Sequence, residues 1–424
     1  MTIRAAIRLF HVLIVTILFT GTALAETKTK ILKYDKDGKV IGFQEQDVNS
    51  SKKRAKTGKA GRSGAGEDDD PANQFEAGEV LVLNPPRGFS SQVGSMGFRV
   101  LENLNIRELG IEIYRLQTPT AMSVPEAIKT LRGRFTNLQV DANHHFTPSV
   151  ANVEHPDKLA RTLFRWNKLP ATCGKGLKIG IVDSGVDLSH PALEGQNIAY
   201  RAFNQKSRKP GNKDHGTAIA GILVGKPEWG GLLPGASLYA ANFMEYNESG
   251  RMVGSAMGLM KSAKWLIGKK VDIMNISITG TDNKVLRKLI EKATKKRLIL
   301  VAAAGSSGKK NRPAYPAAYK GVVAVTALDM KGKIFYKSNT GSYIDFAAPG
   351  VKVYTPVPGG GRLQSGTSLA APFVTALMGI EILNGRAKTV TQLNSLLRKG
   401  TKDLGKPGRD EIYGWGFAWQ KPEC

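Results

Sequence analysis

Apolar and polar positions follow three different patterns along these 424 residues. Residues 26–75 carry little periodicity. From Asn49 to Asp70 the chain is rich in Ser, Lys, Gly and Asp, with almost no large apolar side chain. Such a stretch buries too little to offset the entropy of ordering, so 26–75 reads as a mostly disordered linker. One short hairpin is expected there, where ILKYD and KVIGF flank Lys36-Asp37-Gly38. Between Glu79 and Pro148 the pattern changes type repeatedly. EVLVL, RVLENL, IEIYRLQ and LQVDANHHF read as strands. Residues 89–97 read as a short helix. Val124 to Phe135 has helical spacing, with Ser123 as cap and Pro125 in the first turn. The order β-α-β-β-α-β predicts a small α+β unit of the split, ferredoxin-like type over 76–150.

Beyond residue 160 apolar strands alternate with helices. KIGIVDSG, ASLYAANF, VDIMNISI, LILVAAAG, GVVAVTAL and YIDFAAPG are the strands. HGTAIAGILVG, Gly254 to Lys269, Asn283 to Lys296 and Thr367 to Leu383 are the helices. In the third of these, Val285, Leu286, Leu289, Ile290 and Ala293 share one face. Near-continuous apolar strands separated by helices predict an α/β domain over 151–424: a parallel sheet covered on both faces.

Charge and targeting refine this picture. Lys plus Arg number 61 against 35 Asp plus Glu, a net +26. The basic residues are scattered, so a solvated surface with weak attraction to anionic envelope surfaces is expected, and no nucleic-acid partner. Arg4 and Arg8 precede the apolar run Leu9 to Phe19, and Ala23-Leu24-Ala25 follows. This is the layout of a signal peptide, residues 1–25, and implies export to a periplasm or to the outside. The run is short for a membrane span. Two cysteines remain, Cys173 and Cys424. An even count in an exported chain favours a disulfide, worth about 4 to 5 kcal/mol in the chain-entropy picture. Two free thiols are the alternative.

Three islands carry the chemistry: IVDSGVD around Asp183, DHGTAIAGI around His215 and SGTSLAAP around Ser368. A serine hydroxyl needs a base to take its proton, an imidazole suits that task near neutral pH, and a carboxylate must fix the imidazole's tautomer. Singly, Asp183 reads equally well as a turn cap, His215 as a core histidine and Ser368 as an N-cap. The chain order Asp, His, Ser across one domain makes the joint coincidence improbable. His190 reads as a loop-shaping residue, and His144 and His145 fall outside this domain. No His, Cys or Asp cluster has metal-ligand spacing.

IVDSGVDLSHPAL, HGTAIAGI and GTSLAAPFV resemble the three signature blocks of the subtilisin-like serine proteases, the subtilases. LILVAAAG, PAYPAAY and DFAAPGV extend the likeness over residues 165–420. The resemblance implies a subtilisin-like fold and an Asp183, His215 and Ser368 triad in a serine endopeptidase. It implies peptide or protein substrates. The unit before it resembles the ferredoxin-like propeptide of that family. That implies an inhibitor and folding aid, removed by self-cleavage between about His145 and Asn152. Ser277, Ile278, Thr279 and Gly280 are implied to form an edge that pairs with an extended peptide. Ala303, Ala304 and Gly305 would form the facing wall, and Ala314 the pocket floor. The family's usual oxyanion asparagine is replaced by Ser306. Ser306, Asn311 or Thr367, beside the Ser368 backbone N–H, would then supply the missing donor. Structural calcium is common in the family, but the sequence offers no acidic loop for it. The competing reading is a weak or inactive scaffold that binds the envelope.

Overall fold

A computed structural model describes residues 74–149, 169–205, 207–418 and Cys424, with the backbone of four further strands at 13–15, 28–34, 40–47 and 151–152. The chain divides into two compact units, Met1–Gly64 and Ala65–Cys424. In the first, β1 (Leu13–Val15) and β3 (Val40–Asp47) pair antiparallel with β2 (Lys28–Tyr34). The hairpin read from ILKYD and KVIGF is thus β2–β3. Most of the expected signal peptide and of the linker after residue 47 lies outside the described residues.

The second unit begins with β4 (Phe75–Leu83), α1 (Phe89–Ser95), β5 (Arg99–Ile106), β6 (Ile111–Gln117), α2 (Val124–Arg134) and β7 (Gln139–Pro148). The strands lie antiparallel in the order β7-β4-β6-β5. Ser123 caps α2 in a capping box with Glu126. Strand alternation gives this sheet two apolar faces. Val80, Val82, Leu116 and Val140 meet Phe89, Val93 and Leu131 of its own helices. Leu81, Leu83, Ile111 and Ile113 belong to a different core, built with helices further along the chain.

That later part opens with β8 (Ala151–Asn152), β9 (Lys178–Asp183) and β10 (Ile198–Ala202), then α3 (Asp214–Val224) and β11 (Ser237–Asn242). There follow β12 (Met244–Tyr246), β13 (Met252–Ser255), α4 (Ala256–Gly268), β14 (Ile273–Ile276), β15 (Ile278–Gly280), α5 (Lys284–Lys295), β16 (Ile299–Ala303) and β17 (Val322–Leu328). The chain ends with β18 (Phe346–Pro349), β19 (Val353–Val357), β20 (Gly360–Ser365), α6 (Thr367–Leu383), α7 (Val390–Lys399), β21 (Thr401–Lys402) and β22 (Phe417–Ala418). The main sheet runs β10-β11-β9-β14-β16-β17-β18-β22-β21, parallel except for the last pairing. Its central strands are buried on both faces, which explains their continuous apolar runs. Ile179, Ile181, Ile299 and Val301 pack with α3 and α6, while Val182, Leu300 and Ala302 pack with α4 and α5.

Three details differ from the sequence reading. The helix expected from Gly254 starts at Ala256, because Ser255 is its N-cap, with Oγ accepting from Gly258 N–H at 3.2 Å. Met252–Ser255 is the strand β13 instead. VDIMNISI is broken at Ser277 into β14 and β15. The β19–β20 hairpin turns at Pro358-Gly359, a turn signal that the strand–helix pattern overlooked. Cys173 and Cys424 are joined by a disulfide, with Cα atoms 5.2 Å apart.

Candidate active site

The three islands meet at the carboxyl edge of the parallel sheet, where open α/β sheets hold ligands. Asp183 ends β9, His215 is the second residue of α3 and Ser368 the second of α6. All three are buried. His215 Nδ1 lies 2.6 Å from Asp183 Oδ1. A carboxylate only accepts, so Nδ1 carries a proton, and in the neutral ring the lone pair falls on Nε2. Ser184 N–H also donates to Asp183 Oδ1, at 2.7 Å. Ser184 Oγ in turn accepts from Gly216 N–H at 2.9 Å, latching the loop after β9 to the first turn of α3. A Cβ on Gly216 would strike the carbonyls of Ser184 and Gly185, so that latch requires glycine. His215 Nε2 is buried without a hydrogen-bond partner.

Ser368 points at the chain's own backbone. Its Oγ donates to the Ser149 carbonyl oxygen at 2.9 Å, and its N–H to the same oxygen at 3.4 Å. Ser306 Oγ donates there too, at 3.1 Å. One carbonyl therefore collects three donors. Thr367 N–H donates to Ser306 Oγ at 3.0 Å, and Gly305 N–H to Thr367 Oγ1 at 3.0 Å. Thr367 Oγ1 lies 3.1 Å from the Ser149 hydroxyl, and serves Ser306 as a neighbour rather than meeting the carbonyl itself. Asn311 is exposed on its loop, its N–H turned to Thr340 Oγ1 at 3.4 Å, and supplies no donor here.

The segment leading to Ser149 lies as an extended strand between two others. Phe146 faces Gly254 of β13 on one edge and Gly280 of β15 on the other; Thr147 and Pro148 pair with Thr279 and Ile278. Beyond Ser149, Ala151 and Asn152 pair with Ser365 and Gln364 of β20. The chain thus crosses the site with paired backbone on both sides of the Ser149 carbonyl. Phe146 is fully buried, and a Cβ on Gly280 would come within 2.5 Å of its ring.

The edge expected from Ser277 to Gly280 is therefore β15, from Ile278 onward. Ser277 itself faces inward: its Oγ donates to the Ser368 carbonyl at 2.8 Å and accepts from Asn275 Nδ2. It braces the start of α6. The strand opposite β15 across the tail is β13, not Ala303-Ala304-Gly305. That segment abuts Thr367 through Gly305 and borders Ala314, whose Cβ lies 3.1 Å from a Cβ built on Gly305. Gly254, Ser255, Gln364 and Ser365 were missed in the sequence, since backbone pairing leaves no side-chain signature.

The Subtilase family model, Peptidase S8, matches residues 174–416, more than half of the chain. The chain belongs to the subtilase family. It is 35% identical over 258 residues to the minor extracellular protease Epr of Bacillus subtilis, covering 59% of this chain and 39% of that one. To subtilisin E of Bacillus subtilis it is 30% identical over 240 residues, covering 55% and 62%. The matches thus span less than two thirds of these relatives. The structure resembles that of fervidolysin from Fervidobacterium pennivorans, a keratinolytic enzyme related to subtilisin, with a TM-score of 0.67 at 21% identity. It covers 82% of this chain and 60% of that one. That likeness speaks for the fold.

In this subtilase, 74–149 docks on α4 and α5 through polar groups around an apolar contact. Asn143 Oδ1 accepts from Met257 N–H at 3.0 Å and Asp141 Oδ2 from Lys284 N–H at 2.8 Å, so each helix start is capped from outside. Asn283 Nδ2 meets the Ala142 carbonyl and His144 Nδ1, both at 2.9 Å. Burial lowers the His144 pKa. Glu76 forms a two-bond pair with Arg208, at 2.7 Å each, and lies 3.2 Å from His145. Burial pushes Glu76 up, but His145 and Arg208 outweigh it and bring its pKa down to about 2. Among the described residues no group of three or more His, Cys, Asp or Glu side chains converges to hold a metal ion. Among them, too, no helix is long and apolar enough to cross a membrane.

Proposed function

We propose that this subtilase is an exported serine endopeptidase made as a precursor that cuts its own chain at Ser149–Val150. The observation carrying the reading is the Ser149 carbonyl oxygen, held 2.9 Å from Ser368 Oγ with donors from Ser306 and the Ser368 backbone. Attack by Ser368 Oγ on that carbonyl carbon forms a C–O bond as His215 Nε2 takes the hydroxyl proton. Asp183 holds the imidazole and stabilises its charged form. Negative charge grows on the Ser149 oxygen, which the Ser306 hydroxyl and Ser368 N–H receive, aided by the positive start of α6. His215 then passes its proton to the Val150 nitrogen as the C–N bond breaks. Water, activated by the same histidine, releases the Ser149 carboxylate. The freed segment 74–149 still fills the cleft and inhibits until it leaves. Other peptide substrates then take the same extended path. The family name and the extracellular relative Epr support the chemistry and the export.

The test is to express the chain and its Ser368→Ala variant and weigh both. The expected outcome is a product beginning at Val150 in the first and an uncut chain in the second. A wild-type chain that stays whole, and takes up no fluorophosphonate on Ser368, overturns the reading.

A further inference from the structure

Arg208 and Glu245 lie on the side of the cleft that stays behind when 74–149 leaves. Glu245, in β12, is buried and fixed: its Oε2 accepts from Gln205 N–H at 2.6 Å, and its Oε1 from Arg208 Nη1 at 3.1 Å. Burial raises the Glu245 pKa, and hydrogen bonding to Glu76 raises that of Arg208. Two further donors of Arg208 go to Glu76, through Nη1 and Nη2 at 2.7 Å each. A planar guanidinium edge that takes both oxygens of one carboxylate is a built recognition geometry. Glu76 in turn lies 3.2 Å from Nε2 of His145. His145 is the fifth residue before the Ser149–Val150 bond, and it pairs with Ser255 of β13 within the cleft. Strand alternation turns its side chain away from the one that seats Phe146.

Resting on the proposed cleavage reading, we infer that Arg208, held by Glu245, forms a carboxylate subsite. Glu76 fills it in the precursor, and an acidic side chain five residues before the cut fills it in substrates. Glu245 keeps the guanidinium in place after Glu76 departs, and its two-nitrogen edge then faces the cleft with no acid of its own to bind. A substrate carboxylate restores the lost pairing; a substrate lysine meets a like charge.

Three quenched peptides carrying Glu, Gln or Lys before Phe-Thr-Pro-Ser-Val-Ala-Asn test this with the processed protein. The expected order of kcat/KM is Glu over Gln over Lys, with about tenfold between the first two, carried mainly by KM. Arg208→Gln should collapse the Glu-to-Gln ratio toward one, and Arg208→Lys should leave an intermediate ratio. Equal cleavage of all three peptides by the wild-type protein overturns the subsite while leaving the protease reading intact. So does a ratio that survives in Arg208→Gln. Cleavage of none of them overturns the protease reading, and the subsite with it.

Discussion

The Ser306 hydroxyl has one proton to give, and its neighbours decide where it goes. Thr367 N–H donates to its oxygen, so the proton is left for the Ser149 carbonyl. A hydroxyl is shorter than the amide arm usual at this position, and its reach depends on that backbone support. Losing one such donor costs about 10²–10³ in kcat. Ser306→Ala should therefore lower kcat on a peptide by about 10²-fold with little change in KM. Ser306→Asn should raise kcat above wild type; an unchanged or lower value would mean that the hydroxyl does not limit the rate. At this scale the sequence was most legible. Asp183, His215 and Ser368 sit in short motifs that dictate their own local turns, and Ser306 stood out as a departure. Ser277 was placed on the edge by the family likeness, which does not say that its side chain turns inward to brace a helix.

Helices α4 and α5 begin beneath 74–149, and their first N–H groups look to it for acceptors. Asn143 caps one and Asp141 the other. In an uncut Ser368→Ala chain, Asn143→Ala should destabilise by about 1 kcal/mol, the usual worth of such a cap. The midpoint of denaturant unfolding measures it. Most strands and helices were legible from period alone, because the central strands are apolar on both faces and α5 is sharply two-faced. β13 and β20 were not, and β15 was expected only through the likeness to the subtilases. Each pairs with the tail of 74–149 or with β8 just beyond it, and pairing over such sequence distances leaves no local pattern. The Glu76–Arg208 pair, 132 residues apart, is invisible for the same reason.

Over the whole molecule, the docking of 74–149 should respond to acid in two stages. His144 has a lowered pKa in place, so its contribution is full above about pH 6.5 and falls as pH drops below that value. Glu76 has its pKa lowered from 4.5 to about 2, so its contribution is full above pH 4.5 and is lost as pH falls toward 2. Glu245 shifts upward and partly opposes the second stage. The dissociation constant of the cleaved segment, followed from pH 8 to pH 3, should rise modestly below 6.5 and steeply below 4.5. A flat profile between 8 and 5 would remove His144 from the account.

The bond between Cys173 and Cys424 spans 251 residues and closes them into one covalent ring that holds Asp183, His215 and Ser368. A ring must be opened twice to lose a piece. One cut by a neighbouring protease in any exposed loop between those cysteines leaves both fragments tethered. On a denaturing gel such a nicked molecule should run as one band without reductant and as two with it. A molecule nicked in this way keeps Asp183, His215 and Ser368 joined in one covalent piece after the first wound.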